Sequence, residues 1–345
     1  MAKGIAILFM LFYHLFSVPG DNALMKVDYS PLPENIFLLI AKFGNICVSV
    51  FVFLTAYGIS LKLFKKENLT LKDAYEGTFK RTGKLLFNFL FMFLVVNLIW
   101  FRYFNYALCY GPGKQGVLSL IVDALGLSHF FGTPTMNMTW WYMSLAYMLI
   151  FFVPAFAFLC KKISYPFLGI AFLLPFVFPV ENDLARYLFV IAVGIVSAYG
   201  NRFEKIMNSK VPAPLRFVVE LAVLVLSVFI RENAFVQSYL LYFVDAVIAF
   251  NIILFASDFI GFIPGVRKIF ALLGRHSMNI FFVHTFFYLI LYRKFVFRFQ
   301  YAAVTFLILL ALSLALSLVL EGLKALVLFL WRKITQKRQA PEDRS

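Results

Sequence analysis

Charge is what this 345-residue chain has least of: only 14% of its residues are Asp, Glu, Lys or Arg, against about 25% in soluble domains. Acidic residues are scarcer still, 17 against 32 basic ones, which leaves a net charge of +15. So few charges exclude a disordered chain, which needs low hydrophobicity and high charge to stay unfolded. Cysteine is nearly absent too. Cys47, Cys109 and Cys160 are odd in number and widely spaced, which excludes a disulfide framework or a cysteine metal site and reads as packed thiols. No internal repeat is visible. The basic residues do not gather on one stripe, as a nucleic-acid surface requires; they sit in short clusters between apolar runs, so no nucleic-acid partner is expected. What fills the chain is apolar: 62% hydrophobic and 19% aromatic, with 45 Phe. Only helices satisfy every backbone hydrogen bond across hydrocarbon over runs of this length. The chain therefore reads as an all-α, polytopic membrane protein whose partner is the lipid bilayer.

A spanning helix needs about 20 apolar residues, and Pro, Gly and charge divide the chain into ten such runs: 4–18, 36–61, 82–104, 140–160, 163–180, 184–200, 216–231, 236–257, 277–292 and 300–331. The segment 115–129 is too short and too polar to span and reads as interfacial or re-entrant. Cytoplasmic loops collect Lys and Arg. With the N-terminus inside, 23 of the 32 basic residues fall on the cytoplasmic side, which predicts about ten helices in an N-in, C-in arrangement. Residues 1–331 then form one transmembrane domain, 332–345 a short basic cytoplasmic tail, and 19–35 and 105–139 lie outside. Lys3 before an apolar run has the look of a secretory signal, but a His and a Tyr inside the run and the lack of a small-residue cleavage site argue for a retained helix. The run is short for a span, which predicts that Met1 is an internal methionine of a slightly longer natural chain.

Ionisable residues inside spans are expensive and mark function by default. His14 follows Lys3 by eleven residues, about 16 Å along a helix and about 20° from eclipsed, so the cation sits at the cytoplasmic mouth and the imidazole near mid-membrane on one face. His284 lies two turns below Ser277, behind Arg275 and His276, at a similar depth. His276 and His284 are about 80° apart around their helix, so they do not form a zinc pair, and no metal is expected. His129 reads as a solvated loop residue. Asn88, Asn97, Asn251 and Glu220 read as helix-bridging groups, Glu321 as a local partner of Lys324, and Asp245 as a buried acid without an assigned partner.

KGIAILFMLFYH at 3–14 resembles the opening of the integral-membrane acyltransferase-3 family, in which a basic residue, ten intervening residues and a histidine begin the first helix. FVFLTAYGIS at 51–60 is similar to the family's second-helix segment, and KRTGK at 80–84, with Arg81 and Lys84, to its paired basic feature. WWYMSLAYMLIFFVP at 140–154 and LLGRHSMNIFFVHTFF at 272–287 are similar to two later segments. The five pieces occur in the family's order and cover roughly residues 1–300, and the family's usual ten helices agree with the runs above. Ala146 stands where many members carry a glutamate, which leaves the acceptor more open than the reaction class.

The resemblance implies a membrane O-acyltransferase that moves an acyl group, commonly acetyl, from cytoplasmic acyl-CoA to a hydroxyl of a sugar or cell-surface glycan on the other face of a bacterial cytoplasmic membrane. Acetyl-CoA or another acyl-CoA is then a donor substrate, and no permanently bound cofactor is expected. Lys3, Arg81, Lys84 and Arg275 are the candidate cations for CoA phosphates, since both Lys and Arg bind phosphate, the first as a point charge and the second as a fork. His14 is the candidate general base, an imidazole titrating in the right range. His284 is the second catalytic candidate, orienting the acceptor or polarising the thioester. Trp140, Trp141 and Tyr142 are candidates for stacking on the acceptor, with an interfacial aromatic belt as the equal alternative. A secondary transporter or glycan-lipid flippase is the competing class, because it too places polar groups near the midplane. A glycan polymerase or ligase is a third, disfavoured by an outer loop holding only Lys114 and His129.

Overall fold

The computed structural model describes residues 1–17, 27–177, 183–290 and 292–339. Among these the chain is all-helical, and the only strand-like pairing is an isolated bridge between Asp28 and Tyr301. The helices are α1 (Ala2–Phe16), α2 (Glu34–Phe43), α3 (Cys47–Leu63), α4 (Leu71–Tyr75), α5 (Thr78–Trp100), α6 (Tyr106–Tyr110), α7 (Gly113–Ala124), α8 (Ser128–Phe131), α9 (Trp141–Ile163), α10 (Pro166–Val177), α11 (Asp183–Tyr199), α12 (Arg202–Met207), α13 (Ala213–Glu232), α14 (Leu241–Asp258), α15 (Pro264–Thr285), α16 (Arg293–Val296) and α17 (Ala302–Gln339).

Each of the ten apolar runs holds a helix, and 115–129 holds the short pair α7 and α8. Six helical stretches are long and apolar enough to cross a membrane: Glu34–Leu63, Leu71–Trp100, Met138–Ile163, Ala213–Glu232, Val236–Phe262 and Ala302–Ile334. Shorter apolar helices cover Ala2–Phe16, Pro166–Val177 and Ala185–Tyr199. The chain is thus a multi-pass membrane protein. Boundaries differ from expectation where charge is tolerated. α15 starts at Pro264 instead of 277, because proline suits the first helical turn and Arg267, Lys268 and Arg275 all project from the exposed side. α17 runs unbroken past the expected domain limit at 331 to Gln339; residues 340–345 of the expected tail lie outside the described residues. Two π-helical turns, Val236–Leu240 and Phe286–Ile290, had no sequence signal.

The centre of the bundle is α1 and α3. α1 packs on α15 and α3, and α3 packs on α11, α9 and α14. Glycine sets the closeness of α1: a Cβ at Gly4 would stand 2.2 Å from the Phe270 carbonyl oxygen of α15, and one at Gly44 would stand 2.5 Å from the Phe9 oxygen. Membrane helices associate through such small-residue contacts because lipid gives them no hydrophobic driving force. Phe53, Phe89, Phe282 and Phe286 fill the interior. α13 lies outermost, with Leu215, Val218, Val219, Leu226 and Phe229 exposed, an apolar surface of the kind lipid covers.

Cross-helix contacts define two ends. At the basic end, the Lys161 ammonium donates to the Lys66 and Glu67 carbonyls, and the Arg202 guanidinium lies 4.9 Å from the Tyr165 ring centroid. There too Arg216 forms a two-pronged pair with Asp258 at 2.7 and 3.0 Å. At the opposite end Lys42 pairs with Glu232, and Asp28 exchanges backbone hydrogen bonds with Gln300 and Ala302. All three cysteines are free thiols, Cys47 and Cys160 buried.

Candidate functional site

The close approach at Gly4 brings α1 and α15 together along their length, and it places the two intramembrane histidines against each other. His284 Nε2 lies 2.9 Å from His14 Nδ1, and the rings stack with centroids 4.9 Å apart. His284 is fully buried and His14 half-buried. The hydrogen bonds define the tautomers. His284 Nδ1 lies 2.7 Å from the Phe281 carbonyl oxygen, which can only accept, so this nitrogen carries the proton. In a neutral ring His284 Nε2 is then an acceptor, and His14 Nδ1 must donate to it. His14 Nε2 is left as an unprotonated nitrogen, the form of imidazole that removes a proton. Tyr288, in the π-helical turn after α15, stacks beyond His284 at 6.0 Å. Such turns recur at functional sites.

Two cavities lie along α1 and α15 and share Phe281 as a wall. The first, of about 210 Å³, is lined by Lys3, Thr55, Leu85, Tyr142, Ser277 and Phe281 among others. The second, of about 310 Å³, holds His14 with Asn45, Asn137, Trp141, Arg186 and Tyr288. Tyr142 and Phe281 meet at 5.2 Å between ring centroids, so the route from Lys3 to His14 is a pair of chambers with an aromatic partition. The helical spacing of Lys3 and His14 predicts their shared face but not that partition, which comes from α9 and α15.

The other candidate residues scatter. Arg275 is exposed and adjoins Gly274, where a Cβ would lie 3.5 Å from the Lys3 Cβ. Arg81 precedes the cavity-lining Leu85 by one helical turn, hence on the same face, and its buried Nη1 has no partner among the described residues. Lys84 is exposed. Neither Arg81, Lys84 nor Arg275 lines the first cavity itself. The three consecutive aromatics divide. Trp140 is 3% exposed, its indole N–H donates to the Phe282 carbonyl at 3.1 Å, and Phe89 and Phe93 close on its ring. Trp141 borders the second cavity, and Tyr142 lines the first.

Asp245 has a partner that the sequence reading missed. Arg231 donates to it at 2.7 and 3.3 Å, and Ser49 donates at 3.2 Å. Arg231 is the last residue of its apolar run, which is the signal that was available. Asn137 also went unnoticed: its amide bridges to Thr285 Oγ1 at 2.5 Å and the Phe282 carbonyl at 3.3 Å, fastening the loop before α9 to the end of α15. Nothing in local sequence distinguishes Asn137 from an ordinary turn residue. Among the described residues no group of His, Cys, Asp and Glu could hold a metal ion.

The protein is thus a multi-pass helical bundle with a hydrogen-bonded histidine pair, one member of which lines a polar, aromatic chamber that Phe281 separates from a chamber bearing a cation. The chain belongs to the acyltransferase-3 family, whose model, described as an acyltransferase domain, matches residues 1–322. Membership supports acyl transfer in the membrane between a donor and an acceptor. No curated protein and no solved structure matches the chain.

Proposed function

We propose that the protein transfers an acyl group, acetyl in the simplest case, from cytoplasmic acyl-CoA to a hydroxyl of a sugar or glycan at the other membrane face, with about ten helices spanning and both termini inside. The observation that carries this reading is His14 itself, which lines the second cavity with its Nδ1 engaged by His284 and its Nε2 without a partner among the described residues. Family membership supports the reaction class, and the bias of basic residues to one side supports the orientation.

The donor enters at the basic end. Lys3 at the first cavity, with Arg275 close by and Arg81 one turn before the cavity-lining Leu85, supplies positive charge for CoA phosphates. The pantetheine arm follows the α1 face, about 16 Å from Lys3 to His14, and Phe281 turns aside for the thioester. The acceptor occupies the second cavity. His14 Nε2 takes the hydroxyl proton, the oxygen bonds to the thioester carbonyl carbon, the C–S bond breaks, and the departing CoA sulfur takes the proton from His14. While His14 is cationic, its Nδ1–H remains directed at His284 Nε2, whose own Nδ1–H is held by the Phe281 carbonyl. The relay orients the base as the third group of a catalytic triad does, which gives His284 the task of positioning His14 in place of touching substrate.

The test supplies radiolabelled acetyl-CoA to the cytoplasmic face of inverted vesicles. Label is expected in glycan with the wild type and not with His14→Ala. Equal labelling by both would remove His14 from the chemistry.

A further inference from the structure

The second cavity has neighbours on both sides. Met138 and Trp141 form its wall toward a cavity of about 340 Å³ built from the α7–α8 loop, with Ser128, His129 and Thr133 in its lining. Arg186 and Tyr187 form its wall toward another of about 330 Å³, which carries Gln237, Ser238, Tyr239 and Tyr242 around the first π-helical turn. Three chambers of nearly equal size thus adjoin at the end away from Lys3, the outer two each sharing a wall with the middle one, which His14 lines. A ring system sits at each junction, Trp141 at one and Tyr187 at the other. Such side chains present an apolar face and a polar edge, matching a pyranose, whose C–H face is rimmed by hydroxyls. The outer chambers add polar groups able to meet hydroxyls: Thr133 Oγ1 is buried without a partner among the described residues, and Tyr239 is 61% exposed. Tyr242 is fixed by its hydroxyl to the Phe172 carbonyl at 3.4 Å.

An acceptor of one sugar would need the middle chamber alone. We propose that the acceptor is an extended glycan whose consecutive units fill all three chambers, so that the acyl group is placed on an internal unit of the chain and not on its end. This rests on the reading of His14 as the acyl-transfer base, and it adds the class of acceptor and the position of modification. The walls are described helices together with the loop between α7 and α9, which Asn137 fastens to α15, so the fold sets the length of the groove, and binding should strengthen up to three units and then level.

The test is calorimetric titration of the full-length protein in lipid nanodiscs with three ladders of one to five units each: a neutral β-glucan, a chitin-derived N-acetylglucosamine series and a galacturonan. No donor is present. In at least one ladder Kd is expected to fall by about tenfold or more from one unit to three, with little change beyond. Tyr239→Ala and Thr133→Val should each bring the three-unit affinity back toward that of two units, with unchanged melting temperatures. A Kd independent of length, or no binding by any ladder, overturns the proposal. The vesicle labelling experiment reads the base without regard to acceptor length, and the titration reads the groove without donor, so either can fail alone.

Discussion

The α1–α15 pair and the α13–α14 pair both bury ionisable groups inside apolar helices, and they do it in opposite ways. Between α13 and α14 two charge pairs cancel, although the buried Glu220 carboxyl has no partner among the described residues: Arg216 grips Asp258 near one end, and Arg231 grips Asp245 near the other with Ser49 adding a third hydrogen bond. Between α1 and α15 the described residues form no ion pair at the centre, only two imidazoles and a carbonyl in a line, ending at His14, which lines a cavity. A pair whose hydrogen-bonding capacity is met from within holds helices together. A chain of donors and acceptors with one end open is equipped for chemistry. Depth and burial alone would rank Asp245 above His14, and both line a cavity; what separates them is that Asp245 is held by Arg231 and Ser49 while one nitrogen of His14 is left open.

The contrast can be broken from either side. His14→Ala is expected to lower transfer by about 10³-fold, within the 10²–10⁴ range of general-base catalysis, while its melting temperature in detergent stays at the wild-type value. A large loss of stability would place His14 with the structural pairs. Arg231→Ala should do the reverse, costing about 3–5 kcal/mol of stability by leaving Asp245 buried without its partner. The double change Arg231→Met with Asp245→Leu should recover most of that, as read by thermal melts. If the double variant were as unstable as the single one, the ion pair would be more than a clamp.

Smaller effects distinguish the parts of the site. His284→Gln is expected to lower kcat by on the order of tenfold to a hundredfold with KM for acetyl-CoA unchanged, and to displace the pH profile of kcat; a raised KM with the same kcat would put His284 on the substrate instead. Phe281→Ala removes the wall between the two chambers, and acetyl-CoA hydrolysis without acceptor should rise severalfold above wild type, checked by free thiol release. No rise would mean that Tyr142 alone closes the route. Lys3→Ala should raise the KM for acetyl-CoA a few-fold, the order of one exposed charge-assisted contact, and leave kcat intact. Lys3→Arg should remain active.

Much of the fold was legible because apolar run length and its punctuation decide where a membrane helix can be. The ends were less so: α15 begins at Pro264 because nothing forbids exposed arginines from continuing a helix beyond its apolar stretch. Within the site, His14 stood out as an imidazole where none is needed for packing, and Lys3 as a cation on its face. That His284 shares its depth was also readable from Ser277 and Arg275. Its direct contact with His14 was not, since spacing along one helix says nothing of how two helices turn toward each other; the glycine at position 4 sets that, through a contact with Phe270. The same limit hid the partner of Asp245 and the division of Trp140, Trp141 and Tyr142 among a buried brace and two chambers. Consecutive residues on a helix point about 100° apart, so neighbours in sequence rarely share a task.

The hydrogen bond between His14 and His284 joins positions 270 residues apart. α1 is made before α15, so at synthesis rates of about 5–20 residues per second His14 precedes its partner by roughly 14–54 s. Until α15 inserts, the face of α1 that bears Gly4 and His14 lacks its neighbour, and His14 lacks the partner that fixes its tautomer. Assembly order thus acts as a checkpoint: a chain that stalls before α15 lacks the partner that orients His14, and on the reading proposed above the site becomes competent only once α15 has entered the membrane.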